Sequence, residues 1–209
     1  MTTILHLTSS ARSNGSRSTQ LSSELTERLL ARDSNARVTQ RDLATQPVRA
    51  LDAEALAALG TPAAQRTEAQ AAIVASFDAL IAEAQTADVI VLGVPMYNFA
   101  IPVQLKSYID ALARSGVTFR YTAQGVEGLL KNKRVYVVFA RGGIHRGGPS
   151  DVQTPYLDVM LRFLGLDDVE YVFAEGLDMG PEAQAKGLAS AREQISALFA
   201  RDAVLALAA

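Results

Sequence analysis

The chain has 209 residues and a formal charge of −2, and about half of its residues are apolar, which suits one domain with a substantial core spanning residues 1–209. It has no cysteine, which excludes disulfides, thiolate metal sites and thiol nucleophiles and fits a reducing cytoplasm. The near-balanced charge, without a long basic block, speaks against a nucleic-acid partner.

The N-terminus MTTILHLTSS lacks the basic region and long apolar run of a signal peptide. The most apolar stretch, VIVLGVPMYNFAIPV, is broken by two prolines and an asparagine, so no membrane helix is expected.

Apolar runs alternate with amphipathic stretches along the chain. ILHLT (4–8) reads as a buried strand, and Leu21, Leu25 and Leu29 fall on one face of a helix over 18–32. ARVTQRDL (36–43) predicts a second strand. The stretch 44–62 is long for a connection and is expected to hold a short helix, as a functional insertion or a surface elaboration. Residues 63–86 show Ile73, Phe77, Leu80, Ile81 and Ala84 at helical spacing. DVIVLGV (88–94) has the continuous β-branched character of a central parallel strand. A helix follows Pro102 and ends at Gly116. RVYVVFA (134–140) predicts a fourth strand, 150–164 a helix, VEYVFAE (169–175) a fifth strand, and Pro181 opens a last helix.

Five strands alternating with helices predict an α/β fold, a parallel sheet covered on both faces, in the flavodoxin-like order 2-1-3-4-5. Ligands of such sheets bind beyond the carboxyl ends of the strands, so three loops matter most.

SSARSNGSRST (9–19) enters the first helix, where free backbone N–H groups and the helix dipole attract an anion. Ser10, Ser16, Ser18 and Thr19 add hydroxyls and Arg17 a backbone N–H. The loop lacks the glycine patterns for triphosphates and pyrophosphates, so a terminal phosphate monoester such as that of FMN fits it. A plain helix cap followed by a polar loop is the alternative.

PMYNFAIPVQLKSYID (95–110) offers Tyr97 and Phe99 as flat surfaces and Asn98 as donor and acceptor, a mixture suited to a planar heterocycle; the two rings plugging the core is the other reading. ARGGIHRGGPSD (140–151) has four glycines, which permit close backbone approach. There Arg141, Gly142 and Gly143 are expected to stabilise negative charge on a ligand. His145 either adds to that or is an exposed loop histidine. His6 lies inside the first strand as a core residue. Two distant histidines without patterned carboxylates suggest no metal site.

Together SS…SRS, PMYNFAIPVQLKSYID, GVTFRYTAQGVEGLLKNK (116–133), RGGIH and VFAEG resemble the FMN-dependent NADH azoreductases, within the flavodoxin-like NAD(P)H:quinone oxidoreductases. The resemblance implies a cytoplasmic homodimer with one FMN per subunit, reduced by NADH or NADPH. It implies ping-pong hydride transfer to quinones, giving hydroquinones, and to azo compounds, giving aromatic amines.

Carried onto this chain, it places Ser10, Ser16, Arg17 and Ser18 at the FMN phosphate and Met96, Tyr97, Asn98 and Phe99 along the ring. Ala140, Arg141, Gly142 and Gly143 then meet its pyrimidine end. Family members commonly have Ser where this chain has Ala140, so a hydroxyl contact is lost there. Phe119, Tyr121 and Phe163 are candidate walls of the substrate pocket, or else core or dimer packing. No side chain is expected to act as a nucleophile, since the chemistry belongs to the flavin. The alternative is a flavodoxin-type electron carrier without its own turnover.

Overall fold

The computed structural model describes residues 1–12 and 14–207, with side chains through Arg201. In chain order its elements are β1 (Thr3–Thr8), α1 (Arg17–Arg32), β2 (Arg37–Asp42), α2 (Ala53–Gly60), α3 (Glu68–Thr86), β3 (Val89–Pro95), α4 (Val103–Leu112), β4 (Phe119–Thr122), β5 (Gly125–Gly128), β6 (Arg134–Ala140), α5 (Gln153–Leu164), β7 (Asp168–Ala174) and α6 (Pro181–Leu207). Five of the strands pair in parallel in the order β2-β1-β3-β6-β7, the expected flavodoxin-like order.

Alternation along each strand divides the core. Leu5, Leu7, Ile90, Leu92, Val137 and Phe139 face one way and meet Phe77 of α3, Leu105 of α4 and Leu157 of α5. Ile4, Val91, Tyr136, Val138 and Val172 face the other way and meet Leu21 and Leu25 of α1 and Ala191 and Ile195 of α6. Both faces are covered, which is why these strands read as continuous apolar runs. Each fully buried leucine contributes about 1.5–3 kcal/mol.

The approach of α1 to the sheet depends on Gly93. A Cβ there would lie 2.7 Å from Ser22 Oγ and 3.1 Å from the Ser18 carbonyl oxygen. Glycine therefore lets the first turns of α1 rest on β3, and the helix begins over the carboxyl ends of the strands. On the same face, His6 is 3 % exposed and its Nε2 lies 2.8 Å from Ser22 Oγ. Burial pushes its pKa down to about 4, so the ring is neutral at pH 7.

Three features differ from the sequence reading. The helix expected over 63–86 starts at Glu68, behind a Thr67–Gln70 capping box, and a 3₁₀ turn occupies Ala63–Gln65. The helix expected to reach Gly116 ends at Leu112. The segment after it forms an antiparallel hairpin, β4–β5, that no pattern predicted. Its strands are four residues each, mostly exposed, and Ala123-Gln124 at the tip carry no Asn-Gly type turn signal. The hairpin continues into Leu129 and Leu130, whose N–H groups donate to the Thr118 and Leu164 carbonyls.

Candidate functional site

A cleft opens where the carboxyl ends of β1, β3 and β6 meet the start of α1. Its lining comes from the three loops expected to bind a ligand, joined by Leu177, Asp178 and Gln184 from around the start of α6.

At one end the chain builds a cradle from near neighbours. Ser16 is the N-cap of α1: its Oγ accepts from the Thr19 N–H at 3.2 Å and lies 3.2 Å from Ser18 Oγ. Arg17 and Ser18 are the first two residues of the helix, and their N–H groups have no protein acceptor among the described residues. No acidic residue stands in that first turn. Ser10, Ser16, Ser18, Arg12 and Arg17 all face the cleft. The Arg17 guanidinium is lightly held, by Gln20 and by Gln184 at 3.5 Å. Thr19 borders a neighbouring hollow instead, and Ser13 lies outside the described residues.

Tyr97 joins this cradle to the next wall. Its hydroxyl accepts from the Ala11 N–H at 3.0 Å and lies 3.2 Å from Ser10 Oγ. Just beyond, Tyr97 and Ala100 exchange both backbone hydrogen bonds around a two-residue turn. Asn98 (φ 49) and Phe99 (φ 66) are both left-handed there, a conformation that is uncommon for phenylalanine. Such backbone persists where the surroundings over-determine it, often at ligand sites. Pro95, Met96 and Tyr97 line the cleft; Asn98 and Phe99 are not among its lining residues. Phe99 is exposed and meets the His145 ring edge-on at 5.7 Å.

The third wall departs from expectation at Arg141. Its backbone lies at the cleft, but its guanidinium is 0 % exposed and makes four hydrogen bonds. Nε donates to Gln153 Oε1 at 3.1 Å, Nη1 to Glu175 at 3.2 Å, and Nη2 to Asp151 and Thr154, each at 3.0 Å. Phe139 and Phe173 pack against its plane, 4.3 and 5.1 Å from ring centre to guanidinium carbon.

With four of its five N–H donors engaged, two carboxylates as partners and no exposure, the guanidinium is turned away from a ligand, so the side-chain role expected for Arg141 gives way to a structural one. Burial works against ionisation of Asp151, but hydrogen bonds from Thr154 and Arg141 outweigh it and hold its carboxyl below the usual range. Glu175 also accepts from the N–H groups of His145 and Arg146, each at 2.9 Å, so the same cluster folds the loop after β6.

The carbonyls of Arg141, Gly142 and Gly143 accept from Leu177, Asp178 and Gly176. The N–H groups of Gly142 and Gly143 have no protein acceptor among the described residues. A Cβ on Gly142 would collide with the Asp178 carboxylate, and one on Gly143 would lie 2.8 Å from His145 Nε2. Gly143 and His145 are not among the lining residues, and His145 Nδ1 lies 2.8 Å from Ser150 Oγ. Ala140 lines the cleft without a hydroxyl, and its carbonyl accepts from the Met96 N–H at 3.1 Å.

Phe119, Tyr121 and Phe163 form a separate group against the hairpin. Phe119 is buried with Phe163 at 4.4 Å between ring centres, and Tyr121 is exposed, edge-on to Phe119. None of the three lines the cleft of its own chain. Sequence reasoning missed Arg12, Asp178, Gln184 and the buried Gln153. Arg12 lay in view inside the opening loop. The others carry no motif, and only the fold brings them to the cleft or its walls. No group of metal ligands occurs among the described residues.

A family model described as a flavodoxin-like fold matches residues 2–199. An FMN-dependent NADH:quinone oxidoreductase of Dechloromonas aromatica is 58% identical over 94% of this chain and 99% of its own length. A second protein of that description, from Burkholderia lata, is 56% identical over 94% of this chain and all of its own. Among solved structures, an azoreductase from Bacillus anthracis superposes with a TM-score of 0.85 at 27% identity, covering 94% of this chain and 98% of that one. The chain therefore belongs to the flavodoxin-like family of FMN-dependent NADH:quinone oxidoreductases.

Proposed function

We propose that the chain, as one flavodoxin-like unit over residues 1–209, holds FMN in this cleft and carries electron pairs from NADH to quinones and to azo compounds. The observation that carries the reading is the start of α1: two helix N–H groups without protein acceptors, three serine hydroxyls and two arginines share one space free of first-turn carboxylates. That donor set fits a phosphate monoester.

Bound flavin supplies a reversible two-electron carrier. Met96 and Tyr97 give the ring a flat wall. The Gly142 N–H at the cleft, with that of Gly143 next to it in the chain, would offer donors to the part of the ring where negative charge grows on reduction, as fixed dipoles do at any developing charge. Arg141 fixes that wall from behind. Donor and acceptor then alternate over the open face of one ring, a ping-pong scheme. The relatives described as FMN-dependent NADH:quinone oxidoreductases support the choice of NADH and quinones.

Beside the cleft lies a largely apolar groove of Ala100, Ile101, Val103, Val152 and Tyr156, which Lys106 also lines, and Phe99 and Ile144 are exposed. A second copy covering this groove makes the enzyme a homodimer, and the substrate-wall role of Phe119, Tyr121 and Phe163 belongs to that assembly. No helix among the described residues is long and apolar enough to cross a membrane.

Titrating apoprotein into FMN tests the reading through quenching of the flavin fluorescence at one FMN per chain. The holoprotein then oxidises NADH with a quinone and no second protein, giving parallel double-reciprocal lines. A protein that takes up FMN but cannot oxidise NADH unaided is the flavodoxin-type carrier instead, and one that takes up no FMN contradicts the proposal.

A further inference from the structure

Gln153 opens α5, is 1 % exposed, and belongs to no motif. All of its amide hydrogen bonds run to the two walls of the cleft. Its Oε1 accepts from Arg141 Nε at 3.1 Å, on the loop after β6. Its Nε2 donates to the Pro95 carbonyl at 2.9 Å and to the Ala100 carbonyl at 3.1 Å, at both ends of the loop after β3. One side chain therefore ties the Met96–Phe99 turn, with its left-handed Asn98 and Phe99, to the arginine that shapes the Gly142–Gly143 wall. Among the described residues, the one backbone hydrogen bond between these loops beside it runs from the Met96 N–H to the Ala140 carbonyl.

We infer that Gln153 is a positioning residue: it clamps the two ring-binding loops at one separation and thereby sets how tightly the flavin ring is held. This deepens the FMN reading and depends on it for its main readout. A buried amide with three satisfied bonds selects one arrangement of the loops. Without it, the binding-competent arrangement is populated only part of the time, and apparent affinity falls by that fraction.

Two variants separate the clamp from general packing. Gln153→Glu leaves an acceptor for the Arg141 Nε–H and, ionised beside that cation, removes both donors to the β3 loop. Gln153→Met keeps the volume and removes all three bonds. In both, the dissociation constants of FMN and of riboflavin rise by a common factor of about ten, because the phosphate end is untouched. The midpoint potential of bound FMN falls, since donors that favour the reduced ring are no longer held in place. A tenfold greater loss for the reduced form corresponds to about 30 mV.

A merely structural glutamine lowers the melting temperature and leaves both affinities and the potential at wild-type values; that result overturns the clamp. If the Met variant does not fold, the Glu variant decides on the same readouts. Should wild-type protein take up neither flavin, the FMN reading fails by itself. The clamp is then judged by hydrogen exchange of the amides at 96–100 and 141–147. They exchange faster together in the Glu variant if the clamp exists, and unchanged rates overturn it.

Discussion

The hydroxyl end of the cleft is made by neighbours in the chain, whereas the ring end is made by partners far apart. Ser16 receives the N–H of Thr19, three residues on, while Arg141 is held by Asp151, Gln153 and Glu175, the last 34 residues away. The first end presents free N–H groups and hydroxyls directly to a ligand. The second hides its charge and presents backbone. A buried ion cluster stabilises little by itself, because desolvation offsets most of the attraction, but breaking it is expensive. The two ends should therefore fail differently: one through ligand affinity, the other through folding.

The largest expected effect strikes the ring end. Arg141→Ala leaves Asp151 and Glu175 facing each other without their cation and destabilises the protein by about 3–5 kcal/mol, read by urea unfolding. A loss below about 1 kcal/mol would show that the cluster does not hold the loop.

His6 gives the next effect, beneath the hydroxyl end. Its pKa is lowered in the folded protein, so the unfolded chain binds the proton more readily. Stability is full above the unfolded value near 6.5 and is lost as pH falls towards about 4, by roughly 3 kcal/mol. His6→Gln should flatten that slope between pH 7 and 4; an unaltered slope would mean that other groups set it.

Replacing Ser16 and Ser18 together with Ala costs about 1 kcal/mol of helix capping, a small change in melting temperature. The same double variant binds FMN about tenfold or more weakly and riboflavin as before, since only FMN carries the phosphate. Equal losses for both ligands would move the phosphate elsewhere.

Phe99→Gly is the mildest. Relief of left-handed backbone, worth about 1 kcal/mol, nearly balances the extra freedom of the unfolded chain, so stability changes by less than about 1 kcal/mol. FMN binding weakens severalfold as the turn loosens. A large drop in melting temperature would make Phe99 a packing residue.

The same contrast explains what was legible in the sequence. The sheet order followed from periodicity, because ILHLT, DVIVLGV and RVYVVFA are apolar on both sides for a physical reason: helices cover both faces. The cradle at Ser10, Ser16 and Ser18 was legible because capping and helix N–H groups act within one turn. The burial of the Arg141 guanidinium was not legible, because its environment comes from Asp151, Gln153, Glu175 and two aromatic rings, none of which is local. The β4–β5 hairpin escaped because its strands are short and exposed. Gln153 had no signature, since a buried glutamine is defined only by what surrounds it.

A crystal structure of the protein grown with FMN tests the central claim most directly. The account predicts the phosphate oxygens within hydrogen-bond distance of the Arg17 and Ser18 N–H groups and the Ser16 or Ser18 hydroxyl, with the ring between Met96–Tyr97 and Gly142–Gly143. A flavin bound elsewhere, or a cradle filled only by solvent at saturating FMN, would contradict it.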